Sequence, residues 1–363
     1  MDSLPLETLQ EIFELACTDG GATGNSLSLT SKHIRAAARR ARFHTLHVVA
    51  DADGDTFQEF VAFLKRECNS GCNERPRVRH LYLTLASLGV LALPGKTTLA
   101  MQDPQPSSAT PDMTPEPLVM PQEHLTRLRS REHAAQELIR LVAPDLWTVV
   151  VDEAPDGLHG QCPILEHTFP LLRDITLIRS STNIARLLRA DAKLSHAIFP
   201  RATHLHLLPL PYTKDLHLSA WSIFAPRVTH LRVSDVRSRH PIAQLAVAVG
   251  VPAPHEGFPD ALPPPPQPPP RTYPSVRCLL VDAAAWLKPR DRGYDPARRG
   301  KAAMRRGLED IARECRRAEV GVQATLLQAP GYASHSQSAR ALVDQWLEQA
   351  VGGKGWWNGL EGQ

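Results

Sequence analysis

Apolar positions along this chain follow one recurring arrangement. A proline is followed by one residue of any kind, then by the spacing apolar–x–x–apolar–x–apolar. The copies are Pro76 with Val78, Leu81 and Leu83; Pro144 with Leu146, Val149 and Val151; and Pro170 with Leu172, Ile175 and Leu177. They continue with Pro200, Ala202, Leu205 and Leu207; Pro226, Val228, Leu231 and Val233; and Pro274, Val276, Leu279 and Val281. Phe43, Leu46 and Val48 form a copy without proline, and Val322, Thr325 and Leu327 a weaker one. The alternation predicts a short strand with one buried face in each copy. Proline stands ahead of the strand because it cannot donate to a ladder.

Helical spacing fills the intervals. Phe57, Phe60, Val61 and Leu64 make one face, and Leu125, Leu128, Ala135, Leu138, Ile139 and Val142 a longer one. Ile184, Leu187 and Leu188 make a short face, followed later by Met304, Leu308, Ile311, Ala312 and Cys315. Leu342, Val343, Trp346 and Leu347 form the last. Strand plus helix, repeated, predicts an α/β solenoid. The prolines at 144, 170, 200 and 226 are 26, 30 and 26 residues apart, near the leucine-rich-repeat range. Two wider steps contain low-complexity insertions, near 94–121 and at 251–273, the second with the run Pro263–Pro266, Gln267, Pro268–Pro270. Both lack the apolar residues that would offset the entropy of ordering, so each is expected to be a loop or polyproline segment, with residues 99–121 and 252–273 dispensable for folding.

The first residues are patterned differently. Leu9, Ile12, Phe13 and Ala16 recur at helical spacing over 4–16, with Pro5 near the start, where a missing N–H costs nothing. Thr18–Asn25 is glycine-rich and predicts a loop. A second helical stretch follows Ser31, a suitable cap, with Ile34, Ala37, Ala38 and Ala41 on one side.

In order along the chain, Leu4, Pro5, Leu6, Leu9, Ile12 and Phe13, then Leu27, Leu29, Ser31, Lys32, Ile34, Ala38, Phe43 and Leu46, resemble the F-box. The later strands and helices resemble the degenerate leucine-rich repeats of fungal F-box proteins, without the asparagine ladder of regular repeats. The resemblance implies a three-helix F-box module over 1–48, a leucine-rich-repeat-like α/β solenoid over 49–350, and a C-terminal tail over 351–363. It implies binding of a Skp-family adaptor, and through it a cullin ligase core, by Leu4, Pro5, Leu6, Leu9, Ile12, Phe13, Leu27, Leu29, Ile34 and Ala38. A module this small has too little core to hide every apolar side chain, and Leu4, Pro5, Leu9 and Phe13 are expected to stay exposed for the partner. The implied function is substrate recognition for ubiquitination, with a non-ligase interaction scaffold as the alternative.

In the expected solenoid the strand residues between the buried positions line an open face for a protein substrate. Arg79, Tyr82, Arg173, His204, His206, His230 and Arg232 are the candidates, and their positive lean points to an acidic or phosphorylated partner. Trp356 and Trp357 are expected to cap the last repeat.

Charge and composition narrow the rest. Forty-one basic and 38 acidic side chains leave a formal net charge of +3, which argues against a nucleic-acid binder. Glu7, Glu11 and Glu14 interrupt the first apolar stretch, so no leader peptide is expected, and no apolar run is long enough to cross a membrane. Six scattered cysteines fit a reducing compartment, cytoplasmic or nuclear. The basic residues Arg298, Arg299, Lys301, Arg305 and Arg306 read as the solvated face of a helix before an import signal. No enzyme motif, cofactor or metal is expected. Gly95, Lys96 and Thr97 lack the glycine a phosphate loop needs at position 90, which is Val90. Cys68, Cys72 and His80 lack a second pair at ligand spacing, and His204, His206 and His217 read as solvated polar residues.

Overall fold

The eight apolar–x–apolar copies become eight strands, and each lies beside the next one in sequence. The structure, a computed structural model, describes residues 4–50, 55–69, 75–85, 122–153, 162–179, 197–209, 213, 215–236, 240–253, 270–283, 296–317, 321–327, 335–353 and 357. Residues 94–121, the proline run 263–270 apart from Pro270, Cys72, Ile184, Leu187, Leu188 and Trp356 lie outside them. The strands are β1 (Thr45–Ala50), β2 (His80–Leu85), β3 (Thr148–Glu153), β4 (Asp174–Ile178), β5 (His204–Leu208), β6 (His230–Val236), β7 (Cys278–Ala283) and β8 (Gln323–Leu327). They form one parallel sheet in the order β1 to β8.

Parallel neighbours require a crossover, and crossovers here hold helices, the two over 218–224 and 240–249 without a sequence prediction. The helices are α4 (Asp55–Asn69), α5 (Gln122–Val142), α6 (Leu218–Phe224), α7 (His240–Val249) and α8 (Pro296–Arg317). Phe57 and Leu64 of α4, Leu138 and Ile139 of α5, Trp221 and Phe224 of α6, Leu245 and Val249 of α7, and Met304 and Leu308 of α8 share one core with the strands. The strand residues in that core are the alternating ones that the sequence marks, such as Leu81, Val149, Ile175, Leu205, Leu231 and Leu279. The last strand differs. Ala324 and Leu326 pair with Leu279 and Val281 and pack on this core, so Thr325 and Leu327 point the other way, against the expected register. A slip of one residue exchanges the faces of a strand.

Three of the prolines act through turns. The N–H groups of Ala202, Val228 and Val276 donate to the carbonyls of Phe199, Ala225 and Tyr273 at 3.2, 3.2 and 3.3 Å. Pro200, Pro226 and Pro274 are therefore the second residues of β-turns, where the fixed φ of proline is already suitable. A fork of hydrogen bonds follows. The Arg79 carbonyl accepts from the N–H groups of Trp147 and Thr148, the Trp147 carbonyl from Arg173 and Asp174, and the Arg173 carbonyl from Thr203 and His204. Thr203 and Thr229 repeat it. The fork fixes the register at the beginning of β2 to β7, and the proline turn joins it at β5, β6 and β7. The expected insertion 251–273 needs correction at its ends. Val251 and Tyr273 belong to the core, and the Tyr273 hydroxyl donates to the Ala225 carbonyl at 2.7 Å.

Ahead of β1 lie α1 (Leu6–Ala16), α2 (Ala22–Thr30) and α3 (Lys32–Ala37). Ser31 caps α3 as expected, its Oγ accepting from the Ile34 N–H at 3.1 Å. The expected Thr18–Asn25 loop is shorter than predicted, because α2 begins at Ala22. Gly24 allows the close approach: a Cβ there would stand 2.1 Å from the Arg42 carbonyl oxygen. Arg42 is buried beyond α3, reaches Glu67 of α4 at 2.6 Å, and lies 4.5 Å over the Phe43 ring, which ties the helices to the sheet. No helix among the described residues is long and apolar enough to cross a membrane.

One helix departs from the expected layering. α9 (His335–Ala350) follows β8 and lies on the opposite face of the sheet from α4–α8, where Trp346 packs with Tyr82, Val150 and Ile178.

Candidate functional site

The register aligns the second sheet face in rows. One row runs Thr45, His80, Thr148, Asp174, His204, His230, Cys278, Gln323, and the next His47, Tyr82, Val150, Thr176, His206, Arg232, Leu280, Thr325. The expected substrate residues Tyr82, His204, His206, His230 and Arg232 all fall on this face. Arg79 and Arg173 stand just before their strands, their guanidinium carbons 4.2 and 5.6 Å from the Trp147 ring centre. Such contacts hold an arginine by the attraction of the cation to the ring face. Arg173 is exposed and Arg79 half-buried.

From β2 to β6 the face is not open, which corrects the expectation there. Tyr82 and His206 are each 1% exposed. The Trp346 ring stands edge-on to Tyr82 at 5.5 Å. Leu342, Val343 and Leu347 of α9 pack with Leu208 around the same cluster. Trp357 caps no final repeat. It sits 4.7 Å from the His204 ring and 5.9 Å from His230, over β5 and β6. His204 and His230 are themselves stacked at 4.5 Å, and His204 Nδ1 is 2.8 Å from Asp174.

Much of the polarity on this face is satisfied internally. Asp282 accepts from Arg232 Nε at 3.1 Å and Nη2 at 2.6 Å, and from the Ser234 hydroxyl at 2.6 Å. A bulge in β6, with Asp235 at φ +60°, allows Ser234 to meet Asp282 before Val236 returns to the helix-side core. His206 Nε2 lies 2.9 Å from Ser234 Oγ. The serine gives its only proton to Asp282, so His206 Nε2 must be the donor in the second bond. Serine thus stands between carboxylate and imidazole, and the imidazole is in no position to take its proton. That order is unlike a nucleophilic triad, in which histidine is the middle member. Burial pushes the pKa of His206 well below its ordinary value, with Arg232 adding to the effect. Burial, His44 and Arg79 bring that of His80 down to about 3. Arg179, turned back at φ +63°, pairs with Asp152, whose carboxyl burial nonetheless pushes up.

The expected adaptor residues divide into two sets. Leu9, Phe13 and Ala38 are buried with Ala37 and Ala41 in a small separate core, and Leu27 and Ile34 pack against it. Leu9 and Phe13 are therefore not the exposed residues that the sequence predicted. They face the other helices because one stripe of α1 must close the module. Leu4, Pro5, Leu6, Ile12 and Leu29 are exposed, as is Leu15, which sequence reasoning omitted. Leu15 is 81% and Leu29 74% exposed, and Leu15 is one turn beyond Ile12 on the same side of α1. The omitted residues of the sheet face are Trp147, Ser234, Asp282 and Trp346. Trp147 and Trp346 carry a compositional signal, since an aromatic of that size rarely stands without a partner. Asp282 and Ser234 carry none. Comparison with known proteins finds no match, whether among protein-family models, curated proteins or solved structures.

Proposed function

We propose that this chain is the substrate-recognition subunit of an SCF-type cullin–RING ubiquitin ligase, working in the cytosol or nucleus without catalysis of its own. Its helical module, read as an F-box, takes a Skp-family adaptor. The strand-and-helix body, read as a degenerate leucine-rich-repeat solenoid, takes a protein substrate. A receptor of this kind acts by raising the effective concentration of substrate near the transferred ubiquitin.

The observation that carries the reading is the split within the module. Leu9 and Phe13 close a core of their own, while Leu4, Leu6, Ile12, Leu15 and Leu29 remain exposed. Large apolar side chains gathered on a small helical unit mark a contact surface. The body supports the reading by its order, since strands laid down in sequence with helices between them are what stacked repeats produce.

The test places charge on the surface and leaves the core intact. The double variant Ile12→Asp, Leu15→Asp is expected to lose co-purification with the adaptor and the cullin while its thermal unfolding stays close to that of the parent. Capture of both partners at parental levels would defeat the proposal. Capture of the adaptor without cullin, by the parent chain, would favour a scaffold outside the ligase. Phe13→Asp is unsuitable for this test, because it buries a charge in the module core.

A further inference from the structure

The second face of the sheet already has an occupant, and that occupant has the form of a ligand. α9 follows the last strand and presents Leu342, Val343, Trp346 and Leu347 to Tyr82, Val150, Ile178 and Leu208. These residues form a cluster separate from the core shared by the strands and α4–α8, which closes without them. The seat is also imperfect. The indole N–H groups of Trp346 and Trp357 are both buried without a hydrogen-bond partner. A buried donor that gives up water and gains nothing weakens the docking of the segment that carries it. The Tyr82 and Val150 surface beneath it is apolar, whereas the flanking polar groups are paired across the sheet, Asp152 with Arg179 and Asp174 with His204. The site thus selects by shape and apolar contact at its centre.

We propose that the face formed by β2–β6 is a binding site for an amphipathic helix with an aromatic anchor, and that α9 holds it in cis until a partner helix displaces it. The proposal rests on the reading of the body as the recognition half of the molecule. The pattern of the occupant defines the partner: a large aromatic with apolar residues four and three positions before it and one after it, as Leu342, Val343 and Leu347 flank Trp346. Such a helix lays one face into a groove, as helical recognition segments do. A partner whose anchor brings no unpaired N–H, such as phenylalanine, escapes the penalty that α9 carries. The cis arrangement makes recognition a competition between a tethered and a free helix.

The experiment uses the full chain with a specific protease site placed within 328–334, and a labelled peptide of residues 335–357 as the probe. The cut chain is expected to keep its sheet by circular dichroism and to exchange α9 for the labelled peptide, saturably. The uncut chain should bind the same peptide at least about a hundredfold more weakly, because a tethered helix competes at an effective concentration on the order of millimolar. A peptide carrying Trp346→Ala should bind the cut chain at least about tenfold more weakly than its parent. Unfolding on cleavage, absence of exchange, or equal binding to cut and uncut chains would each overturn the proposal. As a second measurement, hydrogen exchange on uncut Trp346→Ala should lose protection in α9 alone. Loss across the strands as well would make α9 part of the cooperative core and also overturn it. None of these readings involves the adaptor, so failure of adaptor capture with intact exchange counts against the ligase reading only.

Discussion

Over the central strands the two faces of the sheet are both covered, by opposite means. On one, aliphatic side chains from every strand meet α4–α8. On the other, rows of His, Thr, Asp and Arg lie beneath α9 and Trp357, several of them buried through pairing with each other. A parallel sheet covered on both faces ordinarily reads as continuous apolar runs. Here the alternation survives because pairing takes the place of apolarity. A polar strand face in a sequence is therefore evidence of polarity, and exposure must be argued separately.

The sharpest way to break this comparison is to remove one member of a buried pair. Asp282→Ala leaves Arg232 and Ser234 without their shared acceptor, and is expected to cost about 4 kcal/mol by denaturant unfolding. The double variant Arg232→Met, Asp282→Leu should recover most of that loss, since two apolar groups replace two paired charges. If the double variant stays as unstable as the single one, the pair contributes more than mutual neutralisation. The helix-side counterpart is Leu231→Ala at a fully buried position, expected to cost about 3 kcal/mol from lost transfer energy and the cavity left behind. No second substitution across the sheet should rescue it.

The smallest expected effect concerns pH and separates the faces most cleanly. Burial holds His80 at a folded pKa near 3, against 6.5 when unfolded. Below pH 6.5 the unfolded chain binds this proton first, so stability falls as pH falls and the loss levels off near pH 3. His206 acts in the same direction. At pH 5 the His80 contribution is about 2 kcal/mol by the linkage relation. The melting temperature should drop between pH 7 and pH 5, and His80→Asn should reduce that drop. A flat profile over this interval would show that the second face opens to solvent without resistance.

The sequence made some of this legible and left the rest hidden for identifiable reasons. Strands led by proline were readable because the turn, the register and the alternation agree, as at Pro200, Ala202, Leu205 and Leu207. β8 misled because Leu326 and Leu327 are adjacent, and an alternating pattern that ends in two leucines fits either register. In α1 both stripes are apolar. Periodicity identifies the helix but does not say that Leu9 and Phe13 face inward while Ile12 and Leu15 face outward. For α9 the period predicts an apolar side and is silent on which face of the sheet receives it. The ion pair of Arg232 with Asp282 joins residues 50 apart, and nothing local announces such a partner.

The order of the strands has a consequence for how the molecule is made. Each strand after β1 docks on the one synthesised just before it, and from β2 to β7 two N–H groups at its own start donate to a single carbonyl of the preceding segment. No strand waits for a partner still to be translated. The sheet can thus grow at the pace of the ribosome, one crossover at a time, while α9, made after β8, closes over a surface already complete.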